Sequence, residues 1–187
     1  MPSVPDETQR QILDLLLKRI PEEEFLSRLG LPKDGVSPFA NSVLRSALEE
    51  KDPDAVDAGI SLMYHFGYDT SFLDALNALA VEPWHKRHED IVFALGKLKA
   101  PSSIPALAQS AQARYAYLED DEAFALGSKS IFALRNIGTP EAIRIIGDLA
   151  RSDNEVLRKT AIGRLKDLAK NAATEECRSL AAALALQ

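Results

Sequence analysis

Apolar residues recur along this chain at intervals of three and four, with polar residues filling the positions between them. Ile143, Ile146, Leu149 and Ala150 form one such stripe, and Ala161 and Leu165 continue the rhythm in the next segment. That spacing predicts amphipathic helices with one face buried. Earlier stripes run through Ile12, Leu13, Leu16, Leu17 and Ile20, and through Trp84, His88, Ile91, Leu95 and Leu98. Alternating runs of β-branched residues, the mark of strands, are absent. The pattern predicts an all-α chain with helices over 6–19, 22–29, 38–50, 53–66, 70–80, 83–98, 102–112, 119–137, 140–150, 153–170 and 174–185, about eleven in all.

The punctuation between stripes is helix chemistry. Asp6 is expected to cap the first helix, and Asp52 precedes Pro53 at the start of the fourth. At Gly138-Thr139-Pro140, glycine can take the left-handed conformation that closes one helix, and threonine can cap the next. Proline at the first helical position then loses no hydrogen bond, because its N–H would have had no partner there.

This turn belongs to a repeat. Ala94, Leu95, Leu98, Pro101, Ile104, Leu107 and Ala111 match Ala133, Leu134, Ile137, Pro140, Ile143, Ile146 and Ala150, every pair 39 positions apart. The period is that of two-helix solenoid units. The Thr139-Pro140-Glu141-Ala142 turn, followed by Asp153, Val156, Arg158 and Ala161, resembles the HEAT repeat. The resemblance covers about residues 83–170 and is looser over 53–81, where Phe66-Gly67-Tyr68-Asp69-Thr70 turns without a proline. It implies a right-handed α-solenoid of antiparallel helix pairs in a single domain, 1–187. Residues 1–50 and 174–187 would cap repeats lying within 53–170.

Charge narrows the partner. Residues 1–134 hold 13 Lys/Arg against 21 Asp/Glu, a balance of −8, whereas 135–170 hold 8 against 5, a balance of +3. The acidic part repels nucleic-acid phosphate and favours a basic partner. One cysteine, Cys177, excludes an internal disulfide and a cysteine-based zinc site. The opening residues Met1–Glu7 carry neither a basic nor an apolar run, and no apolar stretch is long enough to span a bilayer. A cytoplasmic protein without membrane contact is the expectation.

Two segments invite a functional reading. In Trp84-His85-Lys86-Arg87-His88-Glu89-Asp90 the histidines are three apart and Glu89 follows the second, which is not the zincin arrangement. His88 falls on the buried stripe. His85 and Glu89, four apart, would make an exposed pair, and Trp84 is open to either packing or partner contact. In Tyr115-Ala116-Tyr117-Leu118-Glu119-Asp120-Asp121-Glu122, four carboxylates exceed what a helix start needs, and tyrosines precede them. A basic-partner docking site and a structural helix start both remain open for this run. The carboxylates lack the alternation and glycine of a calcium loop. No nucleophile elbow and no phosphate-cradling glycine loop is present. The chain therefore reads as non-catalytic, without metal or cofactor, with Trp84, His85, Glu89, Tyr115, Tyr117, Glu119, Asp120, Asp121 and Glu122 as partner-binding candidates.

Glu24-Phe25-Leu26, Phe66-Gly67, the 84–91 segment, Tyr117-Leu118-Glu119 and the Gly138–Ala142 turn together resemble bacterial single-domain HEAT-repeat proteins. Acidic proteins of that kind resemble immunity proteins of polymorphic toxin systems. The resemblance implies binding and neutralisation of a basic toxin effector. A general scaffold for complex assembly is the alternative. HEAT-like DNA glycosylases and phycobilin lyases are remoter ones, the first disfavoured by the acidic charge.

Overall fold

A computed structural model of the chain describes residues 5–118 and 124–186. Among them are eleven α-helices and no strands. The chain packs as two compact units, 1–87 and 88–187.

The first unit contains α1 (Asp6–Leu16), α2 (Glu22–Leu29), α3 (Val36–Glu50), α4 (Pro53–Phe66) and α5 (Leu73–Leu79). Helices α3 and α4 form its main contact, with α1 on α4 and α5 on α3. Phe25, Leu44, Ile60, Leu62, Met63, Phe72 and Leu76 are fully buried. Phe25 stacks on Phe66, ring centroids 6.0 Å apart. As expected, Asp52 caps α4, its carboxylate accepting from the N–H groups of Asp54 and Ala55. The start of α1 differs: Pro5 occupies the cap position and Asp6 is the first helical residue. Its inward face differs too. Ile12 and Leu15 are buried, whereas Leu13, Leu16 and Leu17 are exposed. The sequence places leucines around more than half of this helix, so periodicity alone does not choose the inward side.

The second unit contains α6 (His88–Leu98), α7 (Ile104–Ser110), α8 (Ala125–Ile137), α9 (Pro140–Leu149), α10 (Glu155–Asn171) and α11 (Glu175–Ala185). Helices α6, α8 and α10 pack in succession, and α7, α9 and α11 pack in succession beside them. The repeated positions match in burial: Ala94 with Ala133, Leu95 with Leu134, Ile104 with Ile143 and Leu107 with Ile146 are all core. Gly96 permits the close approach of α6 to α8, because a Cβ there would lie 2.9 Å from the Ala133 Cβ.

The turn chemistry holds in detail. Gly138 closes α8 at φ 67°, and the Thr139 hydroxyl accepts from the Ala142 N–H at 3.3 Å. Thr174 caps α11 in the same way, accepting from the Cys177 N–H at 3.2 Å. Asn154 caps α10, accepting from the Leu157 N–H. Cys177, buried on α11, donates its thiol hydrogen to the Gly138 carbonyl at 3.5 Å, which joins these successive turns.

Three expected helix starts are corrected. The helix expected from 83 begins at His88, so Trp84 lies in a turn before it rather than on its stripe. Short 3-10 turns at Thr70–Phe72 and Pro101–Ser103 precede α5 and α7, where continuous helix was expected. The start of the helix expected at 119 lies outside the described residues.

Candidate partner-binding surfaces

His85 explains why 83–87 is a turn. Its Nε2–H donates to the Leu79 carbonyl at 2.8 Å, and its Nδ1 accepts from the Arg87 N–H at 3.1 Å. Those bonds hold the chain in a loop that helix formation would break. They also assign the neutral tautomer. Burial lowers the His85 pKa below its ordinary value, against the Leu79 carbonyl and the Asp57 and Glu82 carboxylates, which favour the charged form. Trp84 is partly buried. Its indole N–H donates to Glu82 at 2.7 Å, and its ring meets the His85 ring edge-on at 5.2 Å. The expectation that His85 is exposed beside Glu89 is therefore corrected. Glu89, on α6, forms an ion pair with Lys129 on α8 at 2.7 Å.

His88 is fully buried, as its stripe position predicts. Tyr115 stacks on its ring at 3.8 Å, and the Tyr117 ring lies nearly parallel at 5.7 Å. The Tyr117 hydroxyl is hydrogen-bonded to His88 Nδ1 at 2.8 Å. Burial and the Glu89 carboxylate push the Tyr117 phenol up to about 12. These tyrosines are thus half-buried members of an aromatic stack, with the Tyr115–Leu118 turn folded over the start of α6. A cleft of about 450 Å³ opens beside the stack, lined by Arg114, Tyr115, Leu118, Phe124 and Leu126 among others. Glu119, Asp120, Asp121 and Glu122 lie outside the described residues.

Two surfaces escape the sequence reading. On α1, Leu13 and Leu17 are 51% and 52% exposed, and Leu13 and Leu16 line a shallow cleft of about 340 Å³ with Asp54 and Asp57 of α4. On α6 and α8, Phe93 and Phe132 are 50% and 46% exposed. They occupy equivalent repeat positions 39 apart, each immediately before the Ala-Leu pair of its helix. That recurrence was the available signal.

Charge also divides between the two units. Residues 1–87 hold 9 Lys/Arg against 15 Asp/Glu, a balance of −6, and 88–187 hold 13 of each. Among the described residues, no three His, Cys, Asp or Glu side chains converge as a metal site would require, and no helix is long and apolar enough to cross a membrane. Compared with known proteins, the chain has no significant match to a family model, a curated protein or a solved structure.

Proposed function

We propose that this chain is a non-catalytic protein-binding module that engages a basic protein partner through its 1–87 unit. The observation that carries the reading is the α1–α4 surface, where exposed Leu13 and Leu16 flank Asp54 and Asp57 on a unit with a balance of −6. Apolar side chains beside Asp54 and Asp57, the second of which also pairs with Arg87 at 3.7 Å, suit a partner whose lysine and arginine stems cover leucine while their charges meet the acids. The acidic run at Glu119–Glu122 would add to the same attraction. Within this class, the resemblance to immunity proteins supports an inhibitor that covers a basic toxin effector, and a scaffold in complex assembly is the second reading.

The 88–187 unit is read as a HEAT-like right-handed solenoid. The successive packing of α6, α8 and α10 and of α7, α9 and α11, with equivalent threonine caps at 139 and 174, supports that reading.

The test is affinity capture with the full chain from its native cells, followed by mass spectrometry. One basic protein should be recovered in equimolar amount and lost when Leu13→Ser is combined with Asp54→Lys. Recovery of no basic protein, or retention of the basic one by that variant, would overturn the proposal.

A further inference from the structure

The α6–α8 surface carries an exposed aromatic groove. Val92, Phe93, Gly96, Phe132 and Ala133 line a groove of about 230 Å³ between the two helices. Gly96 lets the helices meet at its floor, where an added Cβ would lie 2.9 Å from the Ala133 Cβ. Phe93 and Phe132 stand half-exposed at its sides. An exposed aromatic pair repeated in register, with a small-residue floor between, has the form of a pocket for apolar anchors.

The charges around it favour an acidic partner. Glu89 and Asp167 are each tied to a cation, to Lys129 at 2.7 Å and to Arg135 at 2.6 Å. Two further cations lie against the aromatic rings, Lys97 Nζ at 5.2 Å from the Phe93 centroid and the Arg164 guanidinium at 4.5 Å from that of Phe132. Arg164 Nε is buried and has no hydrogen-bond partner among the described residues. A carboxylate arriving here meets Lys97 and Arg164, and although Asp167 also feels Arg164, its ion pair and its stronger attraction are to Arg135. A guanidinium fork is suited to receive such a carboxylate. Nucleic acid fits less well. Each ring already has a face covered by its own cation, and a unit with 13 charges of each sign gives phosphate no general attraction.

We propose that the Phe93–Phe132 groove binds an acidic amphipathic helical segment of a partner protein, its apolar side chains seated between the two rings and its carboxylates on Lys97 and Arg164.

The probe is a fluorescent four-turn peptide with one leucine stripe and glutamate elsewhere, titrated with the full chain at low salt and followed by anisotropy. A twin with lysine in place of glutamate serves as control, since the acidic 1–87 unit will attract it independently. Combining Phe93→Ser with Phe132→Ser should weaken the glutamate peptide about tenfold or more, the scale of losing a buried aromatic anchor. Combining Lys97→Glu with Arg164→Glu, which leaves the apolar groove in place, should weaken it at least as much. Neither change should weaken the lysine twin, so failure here is distinguishable from failure of the α1–α4 surface. No binding of the glutamate peptide, or binding unchanged by the charge reversal, would overturn the proposal. Displacement of the peptide by oligothymidylate, or a dimer in sedimentation that the phenylalanine changes dissolve, would assign the groove to nucleic acid or to a second copy instead.

Discussion

The Tyr117 hydroxyl lies 2.8 Å from Nδ1 of His88, a hydrogen bond spanning 29 positions that ties the 3-10 turn Ala116–Leu118 to the first residue of α6. Tyr117→Phe keeps the ring and removes this bond from a fully buried imidazole. The expected cost is about 1–3 kcal/mol, the penalty for leaving a buried polar atom without that partner, read as a lower urea midpoint at unchanged slope. Because the folded-state phenol is pushed up to about 12 from 10.0, its contribution is complete below pH 10 and is lost as pH rises towards 12. Ultraviolet titration of the Tyr117→Phe variant should lack a phenol that ionises near pH 12.

His85 gives the opposite dependence. Burial lowers its pKa from 6.5, so the folded state holds the imidazole neutral. The unfolded chain then binds the extra proton first, and the stabilisation present above pH 6.5 is lost as pH falls through the lowered folded value. His85→Gln, which can keep a donor towards the Leu79 carbonyl, should flatten that acid-side loss in denaturant titrations. An unaltered pH profile would mean that another group governs it.

Leu95 and Ile146 are both fully buried, one on α6 and one on α9. Replacing either with alanine should cost about 2–5 kcal/mol through lost burial and the cavity left behind. Near-zero effects at both would contradict the packing described for the 88–187 unit.

Gly96→Ala tests the α6–α8 contact from the other side. Alanine is worth up to about 1 kcal/mol more than glycine in a helix, but here its methyl would lie 2.9 Å from the Ala133 Cβ and 3.0 Å from that residue's Cα. Overpacking of this kind costs about 1–3 kcal/mol, so the melting temperature should fall despite the better propensity. A rise would show that the helices separate easily.

The acidic run makes a kinetic prediction. Reversing Asp120 and Asp121 to lysine should slow association with the basic partner at low salt, and the difference should shrink as salt rises. Stopped-flow binding at two ionic strengths measures it, with a thermal melt to confirm folding. Equal association rates at low salt would return the run to a purely structural role.

How far the sequence led depended on whether the decisive force was local. The caps at Thr139 and Asp52 were legible because these side chains act on backbone groups two or three residues away, whereas the cap expected at Asp6 is displaced to Pro5. The repeat was legible because Leu95/Leu134 and Ile104/Ile143 preserve a spacing that only burial on equivalent faces requires. The loop at 83–87 was not, because it depends on His85 reaching back six residues to the Leu79 carbonyl. The inward side of α1 was not, because five apolar residues spread over that helix leave the choice to its tertiary neighbours. Phe93 and Phe132 were overlooked for a related reason. Lying beside the buried Ala-Leu pair, they extend a hydrophobic run, and only the packed helices reveal that they face outward.

The thiol of Cys177 donates to the Gly138 carbonyl from a buried position, and it is the chain's one cysteine. A thiol-specific dye can therefore react at a single place, and only while α11 stands away from the α8–α9 turn. The labelling rate in native buffer becomes a clock for undocking of that last helix. Followed with increasing denaturant, it would separate fraying at this end of the chain from unfolding of the whole unit, with no probe introduced by mutation.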